Sequence, residues 1–248
     1  MKVANRKAAN RKVANSLLAA LPGKNYQRLL PGLEPVTLNF GDVLYETGQK
    51  MQHVYFPDNS LVSLLTLVNG RMALEVGMVG REGMVGIPLA LGSDVSPVRA
   101  LVQGAGTAMR MTSARFSKEI RESPQLQHGV YGYANALMAQ VSQTAACNRF
   151  HVVEARLARW LLMTRDRMRS KDFRLTQEFL SHMLGVRRVG VTNAARALQN
   201  RKLIDYSRGK ISILDDKGLE AAACECYALV NAKANGADTR AGRAWKLS

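Results

Sequence analysis

Residues 175–214 read LTQEFLSHMLGVRRVGVTNAARALQNRKLIDYSRGKISIL, and their pattern decides the fold of this part of the chain. Thr176 can cap a helix from Gln177 to Leu184, because a threonine hydroxyl satisfies a free backbone N–H where a helix begins. Gly185 then supplies a sharp turn, and a second helix is expected from Arg187 or Arg188 to Gln199. Two helices joined by a glycine turn predict a helix-turn-helix.

The second helix is expected to bury its small apolar residues and to expose a polar face. Arginine can bond guanine bidentately, asparagine can bond adenine, and valine or threonine methyl groups can touch the methyl group of thymine. After this helix, Leu203–Tyr206 and Ile211–Leu214 predict two strands around a basic turn, which together form a wing. The residues expected to contact DNA are Thr176, Gln177, Arg187, Arg188, Val189, Thr192, Asn193, Arg196, Arg208 and Lys210.

The charge of the chain points to the same kind of partner. It has 35 Lys and Arg against 19 Asp and Glu, a formal net charge of +16. Residues 151–214 alone hold 14 Lys and Arg against five acidic residues, a net of +9. Such an excess favours a polyanion, since basic side chains neutralise phosphates and release counterions. Double-stranded DNA is the expected partner. An anionic membrane surface is the second candidate, and no membrane span is expected, because no apolar stretch is long enough to cross a bilayer.

The sequence before this segment has a different pattern, typical of β-strands and turns. Residues 34–111 alternate short β-rich runs with turn residues, at spacings typical of a sandwich or barrel, and Asn69-Gly70 is a two-residue hairpin signal. A helix follows at about 125–148, with one apolar stripe. That stripe either packs on the β domain of its own chain or forms a two-fold dimer interface. The expected dimer-interface residues are Val130, Tyr133, Leu137 and Val141.

These elements, in this order, resemble the Crp/Fnr family of bacterial regulators over roughly residues 16–228. The segment Phe40-Gly41-Asp42-Val43-Leu44 is similar to an early strand and turn of the family, and Val54-Tyr-Phe-Pro57 to a later hairpin. Leu175–Glu178, followed by Gly185 and Arg188, resembles its DNA-reading element. The resemblance implies a cytoplasmic homodimer in which a sensor domain biases how two recognition helices meet a palindromic operator. RNA polymerase is a further implied partner.

The expected fold class is α+β, with an N-terminal β-roll, a long central dimerisation helix and a C-terminal winged helix-turn-helix. The β-roll is a jelly-roll-like double-stranded β-helix that resembles a cyclic-nucleotide-binding domain. Residues 3–12 form a short basic repeat, which is either a solvated tail or an arm that adds phosphate contacts. The expected boundaries are a basic tail at 1–15, the sensor at 16–122, the dimerisation helix at 123–149, the winged helix-turn-helix at 150–228 and a disordered tail at 229–248.

The sequence departs from the cyclic-AMP-binding members of the family. Gly83 and Gly86 fall where they have a phosphate cassette, but no acidic residue follows Gly86. Arg99 is followed directly by Ala100, with no hydroxyl residue between them. A cyclic nucleotide needs an acceptor for its ribose hydroxyl as well as donors for its phosphate. Gly83, Gly86 and Arg99 are therefore a candidate effector pocket, without classical cyclic AMP as the expected ligand. In the reading helix, Val189 stands where the family often has an acid, so a different preferred operator is expected.

No cofactor and no metal are expected. An iron–sulfur cluster of the oxygen-sensing branch needs mainly N-terminal cysteines, and the chain has none before Cys147. Haem stays open because the chain contains His53 and His128. Cys224 and Cys226 do not have the usual CxxC metal spacing. Asp166, Asp172 and His182 form no catalytic pattern, so no enzyme is expected. The alternative function is a β-roll interaction module that lacks sequence-specific DNA binding.

Overall fold

The computed structural model describes residues 13–68 and 72–234, which divide into two compact units. The first unit contains the residues up to Ser63 together with Met78–Tyr131, and the second contains Leu64–Gly77 and the residues from Gly132 onward. The basic repeat at 3–12, the Asn69-Gly70 turn and residues 235–248 lie outside the described residues.

Ten strands are present in the part of the chain that the structure describes. They are β1 (Glu34–Leu38), β2 (Val43–Tyr45), β3 (His53–Pro57), β4 (Leu61–Val68), β5 (Met72–Val79), β6 (Arg99–Gly104), β7 (Gly106–Thr112), β8 (Asp172–Arg174), β9 (Ile204–Ser207) and β10 (Lys210–Ile213).

The described helices are α1 (Ser16–Ala19), α2 (Gly23–Leu29), α3 (Ile87–Ala90), α4 (Ser113–Glu122), α5 (Pro124–Phe150), α6 (Val153–Met168), α7 (Gln177–Leu184), α8 (Arg188–Asn200), α9 (Asp216–Ala222) and α10 (Cys226–Ala234), with a 3-10 turn at Leu30–Gly32. None of these helices is both long enough and apolar enough to cross a membrane. The expected α+β fold class is confirmed, with β-sheets first and the helix-turn-helix last.

The first unit is built on β-sheets. The antiparallel order β1-β7-β3 pairs strands that are distant in sequence, with Leu38 opposite Gly106 and Phe56 opposite Met109. In the same unit β2 pairs with β6 in antiparallel fashion, with Val43 opposite Leu101. The core includes Phe56 and Phe116, whose rings lie 6.5 Å apart and are both buried. Burial of large side chains like these is the main stabilising contribution of such a core.

Two side-chain caps fix the starts of helices in the first unit. Thr112 caps α4, because its side chain accepts a hydrogen bond from the backbone N–H of Arg115. Asn15, at the end of the expected basic tail, is fully buried. Its amide donates to the carbonyls of Pro57 and Gly83, at 2.9 and 2.8 Å, so this residue anchors the start of α1 instead of belonging to a solvated tail.

The second unit is organised around α6, which packs against α8, α9 and α10. Trp160 of α6 is buried, and its indole N–H donates to the buried carboxylate of Glu75 on β5 at 2.9 Å. Satisfying both polar groups in this way avoids the cost of burying them unpaired. The sheet order β8-β10-β9 adds a third strand, β8, to the predicted two-stranded wing.

Three arginines of α6 are buried, although arginine side chains are mostly exposed in folded proteins. Arg156, Arg159 and Arg167 are each only 5% exposed. The Arg156 guanidinium donates to the backbone carbonyl of Leu184 at the end of α7, and Arg167 donates to the carbonyl of Met163 at 3.2 Å. Long arginine stems pack readily against apolar neighbours while their heads bond backbone groups.

The C-terminal boundary also differs. Residues 229–234 were expected to be disordered, but they continue α10, and Val230 is buried. A polar network of the Arg165 guanidinium, the Asp166 carboxylate and the Tyr227 hydroxyl joins α10 to α6 at 2.8–2.9 Å. This helix therefore belongs to the folded second unit.

Candidate nucleic-acid interface

The helix-turn-helix forms as the sequence predicts. Thr176 accepts a hydrogen bond from the Phe179 N–H at 3.1 Å and so caps α7. Gly185 ends this helix with φ of 60°, a left-handed conformation that favours glycine. The helix α8 then begins at Arg188. The first and last residues of both α7 and α8 lie within one residue of the predicted bounds.

The two faces of α8 separate cleanly. Val191, Ala194, Ala195 and Leu198 are all buried, at 5% exposure or less. The residues expected to contact DNA lie on the other side, and the exposed ones are Thr176, Arg187, Arg188, Val189, Asn193, Arg196, Arg208 and Lys210. Small buried residues let α8 approach α6 and α7 closely, so the opposite face stands clear of the domain.

Gln177 and Thr192 are half-buried. The Thr192 hydroxyl lies 2.9 Å from the side-chain carbonyl oxygen of Gln177 and 3.1 Å from the carbonyl of Arg188, and so can donate to either. This contact joins the start of α7 to the first turn of α8. The side chain of Gln177 therefore holds the two helices together in addition to lining the surface.

The wing is a tight two-residue turn between β9 and β10. Arg208 and Gly209 have φ values of 48° and 75°, both positive, as a type I′ turn requires. The Tyr206 hydroxyl donates to the carbonyl of Leu175 at 2.9 Å, which ties the wing to the segment before α7. Burial raises the pKa of Tyr206, and the charge of nearby Arg188 only partly opposes this, so the hydroxyl stays neutral.

An open cleft of about 390 Å³ lies between the wing and the two helices. Its walls are formed by Thr176, Gln177, Arg188, Tyr206, Arg208 and Gly209. Two arginines, a cap hydroxyl and backbone groups are the kinds of donor that bond phosphate oxygens.

The charges on this face are largely uncompensated. Within the described part of the chain, Arg187, Arg188, Arg196 and Arg208 are exposed and have no acidic partner within ion-pair distance. Lys210 differs, because its Nζ lies 3.6 Å from a carboxylate oxygen of Asp172. Four free guanidinium groups on one helix and its wing form a surface suited to a polyanion.

Arg174 is a cation that the sequence analysis missed. It is exposed on β8, directly across the ladder from Lys210 on β10, and so adds charge to the wing sheet. The signal for it was weak, because β8 is only three residues long and follows a polar loop.

Comparison with known proteins agrees with this geometry. Residues 155–222 match the sequence model of the Crp-like helix-turn-helix domain. That segment contains α7, α8 and the wing, the elements that carry the exposed arginines. This segment of the chain is therefore a Crp-like helix-turn-helix domain. No curated protein matched the chain in sequence.

Solved structures of low sequence identity share the fold. A putative transcriptional regulator of the Crp/Fnr family from Eubacterium rectale is 19% identical, with a TM-score of 0.62 over 84% of this chain and 97% of that chain. The c-di-GMP-responsive global regulator CLP from Xanthomonas campestris is 15% identical, with a TM-score of 0.64 over 77% and 99%. FixK2 from Bradyrhizobium japonicum is 11% identical, with a TM-score of 0.65 over 77% and 98%.

The candidate effector residues are engaged in the fold of the first unit. The backbone of Gly86 has φ of 107°, and a Cβ built there would lie 2.9 Å from Cγ1 of Val54 and 3.1 Å from the Tyr45 hydroxyl. The Gly83 carbonyl accepts from Asn15. Arg99 lies 3.3 Å from the Glu46 carboxylate, an ion pair that leaves its buried Nε without a hydrogen-bond partner among the described residues.

The residues chosen for the dimer interface are turned toward their own chain, which corrects that expectation. Val130 is fully buried and Tyr133 is 9% exposed. A Cβ built on Gly77 of β5 would meet Leu137 at 3.4 Å and Val141 at 3.6 Å. This stripe of α5 is therefore the one that packs on the β-strands. The helix instead exposes Tyr131 and Met138, at 44% and 64%.

Proposed function

We propose that the protein is a transcription regulator of the Crp/Fnr type, acting as a homodimer in which two copies of α8 enter successive major grooves of a palindromic operator. One observation carries the proposal: α8 and the wing expose four arginines that have no carboxylate partner among the described residues. Side chains of a recognition helix read base edges in the major groove, whereas a wing contacts the backbone. Two-fold symmetric half-sites call for two copies of the domain.

Each exposed residue receives a role from its chemistry. Arg188 and Asn193 suit guanine and adenine edges, and Val189 and Thr192 suit the thymine methyl group. Phosphate contacts are assigned to the remaining polar residues of the surface, which are Thr176, Gln177, Arg174, Arg187, Arg196, Arg208 and Lys210. Because Val189 is hydrophobic and 62% exposed, we expect it to prefer a thymine methyl over a cytosine amine.

The dimer is assigned to the exposed face of α5. Tyr131, Asn135, Met138, Ser142 and Ala145 are all exposed and follow one another at intervals of four, three, four and three residues. That is the spacing of a heptad seam, along which two helices pack. Small residues at two of these positions allow close approach of a second helix.

The remaining parts of the proposal concern the cellular compartment, a further protein partner and the effector. Transcription regulation places the protein in the cytoplasm with RNA polymerase as a further partner, and its three cysteines are free thiols, as expected in a reducing compartment. Cyclic AMP in the classical mode is not proposed as effector. The ion pair between Arg99 and Glu46 supports this, because the guanidinium that would meet a phosphate already has a carboxylate partner.

The test is selection of operators from a random duplex library with the full-length protein, followed by affinity measurement at several salt concentrations. Arg188→Ala should relax base preference at one position in each half-site, at a cost of roughly 1–3 kcal/mol. Arg188→Ala combined with Arg196→Ala should abolish binding. Arg121→Ala serves as the matched control, because it removes the same charge from an exposed position on α4. Unchanged preference in the double variant would refute the assignment of α8.

A further inference from the structure

Four metal-ligating side chains meet in the second unit. Cys147 lies in the last turn of α5 and His151 directly follows the end of that helix, while Cys224 lies in the link between α9 and α10 and Cys226 at the start of α10. One ligand atom from each residue lies within 4.8 Å of every other. The three cysteines are buried, at 0–8% exposure, and are free thiols. None of the four is among the residues assigned to DNA contact.

We propose that Cys147, His151, Cys224 and Cys226 bind one Zn²⁺ ion in a tetrahedral site. Three thiolates and an imidazole are one of the standard ligand sets of structural zinc. A tetrahedral ion with Zn–S bonds of about 2.3 Å and Zn–N bonds of about 2.1 Å places its ligand atoms roughly 3.5–3.8 Å apart. The Sγ atoms of Cys147 and Cys224 are 3.5 Å apart, and Cys226 Sγ is 3.5 Å from His151 Nδ1.

The same distances argue against other uses of the cluster. An iron–sulfur cluster spreads its ligands around a core of several atoms, whereas these four atoms converge on a space that suits a single ion. A disulfide between Cys147 and Cys224 would remove two of the ligands and leave His151 and Cys226 facing each other without a role. Four protein ligands also close the coordination shell, which is typical of a structural site and not of a catalytic one.

The groups around the cluster fit a metal-bound state. His151 points Nδ1 at Cys226, and its Nε2 lies 3.3 Å from the Glu225 carboxylate. A carboxylate on the outer nitrogen is the usual device that fixes a metal-binding histidine. The Gln143 amide donates to Cys226 Sγ at 3.0 Å, which favours the thiolate.

A buried arginine supplies the balancing charge. Arg159 is 5% exposed, its Nε has no hydrogen-bond partner, and no carboxylate pairs with it in the described part of the chain. It lies within electrostatic range of Cys147 and Cys224. Zn²⁺ with three thiolates carries a net charge of −1, so the occupied site neutralises a guanidinium that is otherwise buried without a counterion.

The site fastens two parts of the second unit that are distant in sequence. Cys147 and Cys224 are separated by 77 residues, and the ion links the end of α5 to the segment that joins α9 and α10. Binding energy of a structural metal is folding energy for the parts it joins. The effect of the ion on DNA affinity rests on the proposed function, whereas metal binding itself is measured without DNA.

The experiment uses the full-length protein, purified under reducing conditions without chelator and analysed for metal by mass spectrometry. We expect one zinc ion per chain. Replacement with Co²⁺ should give the visible absorption of a tetrahedral, thiolate-bound ion, and thiol titration should show three cysteines protected until the metal is removed. Cys224→Ser and His151→Ala should lose the stoichiometric ion, whereas a variant of the exposed His128 on α5, His128→Ala, should retain it.

Glu225→Gln provides a test that leaves all four ligands in place. Loss of this outer partner should weaken zinc affinity by about 10–100-fold in a folded protein. The proposal is overturned if the reduced wild-type protein takes up no zinc from an equimolar solution. It is also overturned if Cys224→Ser binds zinc as well as the wild type, if the chain holds iron and sulfide, or if a Cys147–Cys224 disulfide forms in the presence of zinc. Because no DNA is present, failure of the operator experiment would leave these results unaffected.

Discussion

Gly185→Ala tests the turn between α7 and α8, on which the orientation of the recognition helix depends. The backbone at Gly185 has φ of 60°, and a residue with a Cβ in this left-handed region costs about 1–2 kcal/mol. The new Cβ would also lie 2.6 Å from Cδ1 of Leu74, so Leu74 must move, at a cost of about 1–3 kcal/mol for overpacking. Together these effects predict a destabilisation of about 2–5 kcal/mol, a large part of a typical domain stability of about 5–15 kcal/mol.

A double-mutant cycle separates the two contributions. In a Leu74→Ala background the crowding is relieved while the backbone strain remains, so Gly185→Ala should then cost only about 1–2 kcal/mol. Gly190→Ala is the matched control, because it makes the same chemical change inside α8, where the nearest atom is an ordinary 3.8 Å away. Replacing a helical glycine with alanine should stabilise the protein by roughly 0.5–1 kcal/mol.

Urea unfolding followed by circular dichroism and by tryptophan fluorescence measures these differences, since Trp160 is buried beside Glu75 in the same unit. Equal costs for Gly185→Ala in the two backgrounds would show that Leu74 does not lie against the turn. A cost near zero in both would refute the left-handed turn itself and, with it, the geometry assigned to α8.

Three further predictions concern the wing, the dimer and the acid sensitivity of the fold. Arg208→Ala should weaken binding to operator and to random DNA equally, and should reduce the slope of log affinity against log salt by about 1, because Arg208 is assigned a phosphate contact. Fluorescence anisotropy measures both quantities. A loss of affinity confined to one DNA sequence would contradict the assignment. In sedimentation, Met138→Glu should convert the proposed dimer to a monomer. Leu137 faces β5, so Leu137→Glu should instead lower the midpoint of unfolding. Dissociation by Leu137→Glu alone would mean that the dimer face and the β5 face of α5 are assigned the wrong way round. The Lys171 ammonium, and then Arg165, lower the pKa of Asp216. The Asp216 carboxylate therefore stabilises the fold fully above its pKa in the unfolded chain, and this stabilisation is lost as the pH falls through its pKa in the folded protein. Asp216→Asn should differ from the wild type in urea unfolding at neutral pH but not in strong acid.

The helix-turn-helix could be predicted closely because its determinants are local. Three signals each act within about one helical turn: the cap at Thr176, the glycine at position 185, and the three- to four-residue spacing of small apolar side chains. The observed bounds of α7 and α8 follow from these signals alone. The type I′ wing turn is equally local, since Gly209 tolerates the positive φ that the second turn position needs.

The features that the sequence analysis missed depend on contacts between distant residues. The apolar stripe of α5 was visible, but only Gly77 on β5, which makes room for Leu137 and Val141, shows that the stripe packs on its own chain. The cysteine cluster likewise had no spacing signal. Cys147 and Cys224 meet because α5 and the α9–α10 link pack together, and a pattern search along the chain does not see that packing.

Net charge and DNA-facing charge are different quantities, and the structure separates them. Three arginines of α6 are buried and serve the fold. Arg165, Lys171 and Arg201 are each matched by a carboxylate, so a phosphate would have to compete with a partner already present. The guanidinium groups of α8 and the wing have no such partner among the described residues, and they can neutralise phosphate without breaking an existing ion pair. The excess of basic residues therefore indicates the class of partner, whereas burial and the positions of the carboxylates decide which arginines meet it.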